Sequence, residues 1–152
     1  MRLREFILTS LMFLLGLSFS CNDDKPEILS VEEIFRFDQE SIGFHIEDNE
    51  ITALQDTIFG LYYFIKQQGI GNYPTSTDTL NVNFRAKYLG ASEPFSEGEG
   101  VQIELINQYE GIRVLLPYLR EGGEIVMYLP RGFSDGINLL EFEVILNRIE
   151  NK

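Results

Sequence analysis

A chain of 152 residues with 24 acidic and 12 basic side chains carries a formal net charge of −12, which argues against nucleic acid or an anionic lipid surface as its partner. One cysteine, Cys21, and one histidine, His45, allow no intrachain disulfide, no Cys/His metal centre and no serine–histidine triad with a spare base. No loop has the alternating Asp/Asn spacing of a calcium hand, so neither metal nor cofactor is expected, and the length suits one domain with a real core.

The chain starts Met1-Arg2-Leu3-Arg4, and an apolar run follows from Phe6 to Phe19. A stable membrane span needs about 20 predominantly apolar residues, so residues 1–20 read as a secretory signal. Leu17-Ser18-Phe19-Ser20-Cys21 closes the run. This resembles a loose bacterial lipobox, in which the cysteine becomes the first mature residue and carries lipid. An ordinary signal peptide with an incidental cysteine is the alternative. The lipoprotein reading is preferred because the only cysteine falls at the end of the apolar run. It implies a cell-envelope protein, lipid-anchored through Cys21 in the outer membrane, on the periplasmic or the surface face. Residues 21–29, opening with Asn22-Asp23-Asp24-Lys25, read as a tether.

Ser30 and Glu33 have capping-box spacing. Val31, Ile34, Phe35, Phe37 and Ile42 then fill a helix expected over 31–42, with Gly43 weakening its end. Residues 30–56 form an N-terminal helical extension whose aromatics pack on the main domain, 57–152. There the signal turns to strands. Thr57 to Lys66 is rich in aromatic and β-branched residues, and residues 67–74 are turn-rich. Leu80, Val82, Phe84, Ala86 and Tyr88 alternate with polar residues, which predicts a strand with one wet face. Gly90 to Gly100 reads as a loop, followed by a strand at Val101, Ile103 and Leu105. Ile112, Leu115, Leu116 and Leu119 are spaced as one helical stripe, predicting a helix over 108–119 with Pro117 late in it. Ile125, Met127 and Leu129 make a strand stopped by Pro130. A loop at 131–138 and a last strand over 139–149 follow. One helix across an antiparallel sheet makes the fold α+β.

Several segments resemble the FKBP-type peptidyl-prolyl cis-trans isomerases over about 57–150. Gly60 to Ile65, Gly69-Ile70-Gly71 and Pro74 look like the first strand and Gly-x-Gly turn of that family. Asp78 to Phe84 looks like its second strand. Gly111-Ile112 through Leu116, with Leu119 to Gly122, looks like its helix and following turn. Ile125 to Pro130 and Leu140 to Val144 look like its last strands. The upstream helix looks like that of lipid-anchored FKBP relatives from bacteria whose gliding and secretion machinery includes such proteins. The resemblance implies an FKBP-like antiparallel twisted sheet wrapped around one short helix, preceded by an N-terminal helix. It also implies a pocket for prolyl segments of envelope proteins.

That chemistry needs no nucleophile. Rotation about an X–Pro bond faces a barrier of about 18–20 kcal/mol from amide resonance. An apolar pocket that holds the proline ring and favours the twisted, less polar amide lowers it. The resemblance places Phe84, Phe95, Val101, Gln108, Tyr109, Ile112, Phe133 and Phe142 at the pocket. Phe84 stands where the family has Tyr, Ser96 where it has Asp, and Val101 where an aromatic often stands. Gln108 and Tyr109 fall at a Val-Ile pair whose backbone N–H anchors substrate. Ile112 replaces the large aromatic of the floor. The loop near Asp135 lacks a hydroxyl-bearing Tyr, and Phe133 is assigned to fill that space. For Phe84 and Phe142 core packing weighs as much as pocket wall. Glu97, Glu99, Glu141 and Glu143 read as a solvated face. Three functions stay open: an isomerase of reduced activity, a catalytically degenerate FKBP-fold binding module in an envelope assembly, and a lipid-anchored protein whose domain is purely structural.

Overall fold

The computed structural model describes residues 28–150, so Cys21, the signal-like segment and most of the tether lie outside the described residues. Helix α1 spans Val31–Asp48. Ser30 opens it with a reciprocal cap: its Oγ accepts the Glu33 N–H at 3.2 Å, and the Glu33 carboxylate accepts the Ser30 N–H at 2.8 Å. These bonds hold the Glu33 carboxyl below its usual range. The helix runs six residues past its expected end at 42, straight through Gly43. The reason is tertiary: Ile42 and Ile46, one turn apart, are both buried. Burying an aliphatic side chain is worth about 1.5–3 kcal/mol, more than the roughly 1 kcal/mol that an internal glycine costs.

The strands are β1 (Leu54–Gln55), β2 (Tyr62–Gln67), β3 (Thr79–Tyr88), β4 (Ser96–Glu104), β5 (Glu124–Leu129) and β6 (Leu140–Glu150), with α2 (Glu110–Leu115) between β4 and β5. They form one antiparallel sheet in the order β1-β2-β5-β6-β3-β4. The inner face packs Leu80, Val82, Met127, Leu140, Phe142 and Val144 against Ile112 and Leu115 of α2 and Leu119 after it. The outer face receives α1, whose Ile42 and Ile46 cover Val126 and Tyr128. Strand β5 is therefore buried on both faces. All the residues named in both cores lie within 28–150.

Four local expectations are revised. The strand expected over 57–66 starts at Tyr62, because the buried Asp56 organises a turn before it. Both carboxylate oxygens of Asp56 accept the Phe59 N–H, at 2.8 and 3.0 Å. Strand β1 lies within the residues assigned to the helical extension. The glycine-rich stretch expected as loop is the first half of β4, which bulges so that Val82 faces Val101 but Phe84 faces Gly98. Asn83 Oδ1 holds the bulge by accepting the Gly100 N–H at 2.8 Å, and Asn81 Nδ2 donates to the Gly100 carbonyl at 3.1 Å. The helix expected over 108–119 stops at Leu115, and a 3-10 turn, Leu116–Tyr118, carries Pro117, which has no N–H to continue the ladder. The Gly-x-Gly turn packs on the turn after α2. A Cβ on Gly69 would meet the Arg120 and Glu121 carbonyl oxygens at 2.6 Å, and its φ is +78°.

Candidate functional site

A hollow of about 370 Å³ opens at one end of the inner face. Phe84 and Ala86 of β3 and Phe142 of β6 supply its strand wall. Phe95 and Ser96 lie across from Asn107, Gln108 and Tyr109, which lead into α2. Register explains the space: Ala86 faces Phe142 across the β3–β6 ladder, and its single methyl leaves room beside the Phe142 ring. The ring is 7% exposed. Tyr109 stands edge-on to it with centroids 6.0 Å apart. Phe95 stacks on Tyr88 at 4.9 Å, and its N–H donates to the Ala86 carbonyl at 2.9 Å, so a ring that is 48% exposed is still held at the rim.

The opposite rim is built by side chains that satisfy the 105–108 turn. Asn107 Nδ2 donates to the Glu104 carboxylate at 2.8 Å, and the Gln108 N–H donates to the Leu105 carbonyl at 3.1 Å. Tyr109 follows in extended backbone, φ −51° and ψ 147°, as the residue before α2. Its own N–H donates to no protein acceptor among the described residues, which leaves a backbone donor beside the aromatic floor.

Of the eight pocket residues singled out from the sequence, Phe84, Phe95, Gln108, Tyr109 and Phe142 surround this hollow. Val101, Ile112 and Phe133 do not line it. Val101 pairs with Val82 and fills the space that glycine leaves at 98: a Cβ there would lie 2.7 Å from Val101 Cγ2 and 2.9 Å from Phe84 Cε1. It supports Phe84 from behind. Ile112 is 4% exposed and belongs to the core beneath, where a short aliphatic side chain does not reach the hollow. Phe133 is turned into a different cluster, 5.7 Å from the Phe35 ring and 5.3 Å from Phe59. Ala86 and Asn107 are lining residues that the sequence reading passed over. A small residue in an apolar alternation was the available signal for Ala86, but its meaning needs the β3–β6 register.

The loop after Pro130 is closed on itself. Asp135 Oδ1 accepts the N–H groups of Ile137 and Asn138 at 2.8 Å, and Asn138 Nδ2 donates to Oδ2 at 2.8 Å. These bonds, the Asn138 side chain first, hold the Asp135 carboxyl below its usual range. The charged groups are elsewhere. Lys66 pairs with Glu124 at 2.9 Å and with Glu143, and Lys87 pairs with Glu141 at 3.1 Å. Burial, helped by Glu141 and Glu143, pushes the Tyr128 hydroxyl up to about 12. None of these carboxylates lines the hollow. Among the described residues no cluster of His, Cys, Asp and Glu is arranged to hold a metal ion, and no helix is long and apolar enough to cross a membrane.

The sheet wrapped on a short helix, with the hollow between them, is the FKBP-like α+β fold. Solved structures share it. FkpA from Escherichia coli matches with a TM-score of 0.63 at 18% identity, covering 97% of this chain and 82% of its own. A peptidyl-prolyl cis-trans isomerase from Pseudomonas syringae pv. tomato matches with a TM-score of 0.66 at 12% identity, covering 82% and 98%. The N-terminal domain of FKBP42 from Arabidopsis thaliana matches with a TM-score of 0.53 at 13% identity, covering 60% and 87%. At these identities the likeness establishes the fold. No family model and no curated protein matches the sequence.

Proposed function

We propose that the protein binds prolyl segments of envelope proteins in the Phe142 hollow and isomerises the X–Pro bond with reduced efficiency. The observation that carries this is the convergence of Phe84, Phe95, Tyr109 and Phe142 on one open hollow of an FKBP-like scaffold. The rings take the pyrrolidine out of water. The uncommitted Tyr109 N–H serves the substrate carbonyl next to it. A twisted amide has lost resonance and carries a less polar carbonyl, so desolvation harms it less than the planar forms. Selective binding of that twisted state is the whole catalytic device.

A second reading, a binding module without turnover, is favoured by three particular features. Ser96 brings no carboxylate to the rim, Ile112 provides no aromatic floor, and the self-closed loop at Asp135 carries no tyrosine. Each hydrogen bond missing from the transition state costs about 1–3 kcal/mol, roughly tenfold or more in rate. The deciding experiment is isomerisation of prolyl peptides by residues 26–152. Acceleration that Phe95→Ala reduces supports the enzyme. A folded domain that binds prolyl peptides without acceleration supports the module. A folded domain that does neither overturns both.

We also propose that Cys21 is acylated and holds the domain to the outer membrane. The support is the lipobox-like Leu17 to Cys21 segment. Labelled fatty acid incorporated in cells and lost in Cys21→Ser is the expected result; no incorporation removes the anchor.

A further inference from the structure

A second, larger hollow of about 630 Å³ opens where α1 meets the turn after β5. Its walls come from three segments far apart in sequence: Val31 and Phe35 of α1, Ile58 and Phe59 of the turn before β2, and Phe133 after β5. The wall residues are apolar yet open to solvent, with Val31 82%, Ile58 73% and Phe59 40% exposed. A concave apolar wall open to solvent has the shape and chemistry to take an apolar chain. The rim is acidic. Arg131 is its one basic lining residue, and the buried Asp38 carboxylate occupies that guanidinium at 2.5–2.9 Å. Glu32 and Glu110 line the same hollow, and neither makes an ion pair among the described residues.

The two hollows are lined by consecutive residues at the start of α2, Tyr109 in the first and Glu110 in the second. We infer that the second hollow is a subsite for the same client chain, taking an apolar stretch with a basic residue next to the proline held at Phe142. This rests on the prolyl reading of the first hollow. Charge favours that occupant over the others. A second copy of this acidic chain, paired by a two-fold axis, would bring Glu32 and Glu110 toward their own equivalents. An anionic lipid surface would be repelled.

The test compares the prolyl peptide Ala-Leu-Pro-Phe with the same core extended by Leu-Leu-Lys-Leu on its N-terminal side and, separately, on its C-terminal side. The readout is the ratio of affinities, extended over core, for residues 26–152. The expected ratio is about tenfold for one of the two extensions. It falls toward one in Ile58→Asp, a surface turn position, and when Glu replaces Lys in the extension. Glu32→Lys narrows the preference for Lys over Glu. A ratio below about twofold for both extensions, or a gain that Ile58→Asp leaves in place, overturns the inference. So does a concentration-dependent dimer, or binding to neutral phosphatidylcholine vesicles, that Ile58→Asp abolishes while the peptide ratio stays near one. Failure of the prolyl reading looks different: the core peptide is neither bound nor isomerised. The proline-free peptide Leu-Leu-Lys-Leu then reports on the second hollow alone. Binding that Ile58→Asp weakens supports the apolar and basic ligand, and no binding overturns it.

Discussion

The two hollows on either side of the Tyr109–Glu110 step are built in opposite ways. The first is cut into the edge of a continuous core: its floor, Phe142, sits in β6 between β3 and β5 and is paired on both sides, with Ala86 and with Met127. The second exists only where α1 docks, and its walls are held together by Asp38 reaching Arg131 and by the Phe35–Phe133–Phe59 cluster. A hollow made by a sheet inherits the stability of the whole fold. A hollow made by docking one helix is as stable as that docking. The first hollow is therefore the rigid one and the second the more adjustable.

The strongest way to break this comparison is Phe142→Ala. Removing a buried aromatic ring costs about 3–5 kcal/mol, so the urea midpoint should fall sharply and prolyl binding should vanish with it. A variant that keeps wild-type stability would mean that Phe142 is not part of a shared core. Asp38→Ala comes next. It strips the Arg131 N–H and guanidinium of their buried partner and should cost about 2 kcal/mol, discounted because Arg131 is itself 39% exposed. The loss should be local. Hydrogen exchange should quicken in α1 far more than in β6, and equal quickening in both would show that the two hollows share one cooperative unit.

How much of this could be read from the sequence follows the same division. Alternation in Leu80 to Tyr88 and the spacing of Ile112, Leu115, Leu116 and Leu119 announce the sheet and its helix, because local pattern and burial agree there. The residues of the first hollow lie on or next to those elements, and five of them could be singled out. The errors fall where tertiary contact overrides local pattern. Gly43 stays helical because Ile42 and Ile46 have a sheet to cover. The stretch from Ser96 to Gly100 pairs with β3 because Asn81 and Asn83 hold its bulge, a device with no hydrophobic period to reveal it. Phe133 turns away from the first hollow because Phe35 of α1 claims it, which nothing in the chain order announces. Val101 and Ile112 face the right side of their elements but stop one layer short of the hollow.

Phe95→Ala separates function from stability where Phe142→Ala joins them. The ring is half exposed and stacks on Tyr88, so its removal should cost no more than about 1 kcal/mol. Prolyl turnover should still fall roughly tenfold, since the rim no longer shields the twisted amide. Stopped-flow isomerisation beside urea titration checks the pair of numbers. Turnover that survives Phe95→Ala would move the catalytic surface away from the first hollow.

The smallest expected effect lies in neither hollow and serves as their control. Lys66, Glu124 and Glu143 link β2, β5 and β6 by ion pairs. Burial opposes the charge on Glu143, but the hydrogen bond from Lys66 and the Lys66 and Arg85 charges outweigh it, so its carboxyl sits below the usual 4.5. A depressed carboxyl contributes stability that is complete above the usual value and is lost as pH falls through the lowered one. Burial likewise opposes the charge on Lys66, whose pairs with Glu143 and Glu124 win and raise it above 10.5. A raised ammonium contributes stability that is complete below 10.5 and is lost as pH rises through the higher value. Lys66 is 40% exposed, so screening by water limits either loss to about 1 kcal/mol. Urea midpoints in Lys66→Met should fall less than wild type as pH drops below 4.5, and added salt should shrink the difference. Wild type and variant falling in parallel would place the acid-sensitive contact elsewhere, with Asp135 and its turn beside the second hollow as the next group to examine.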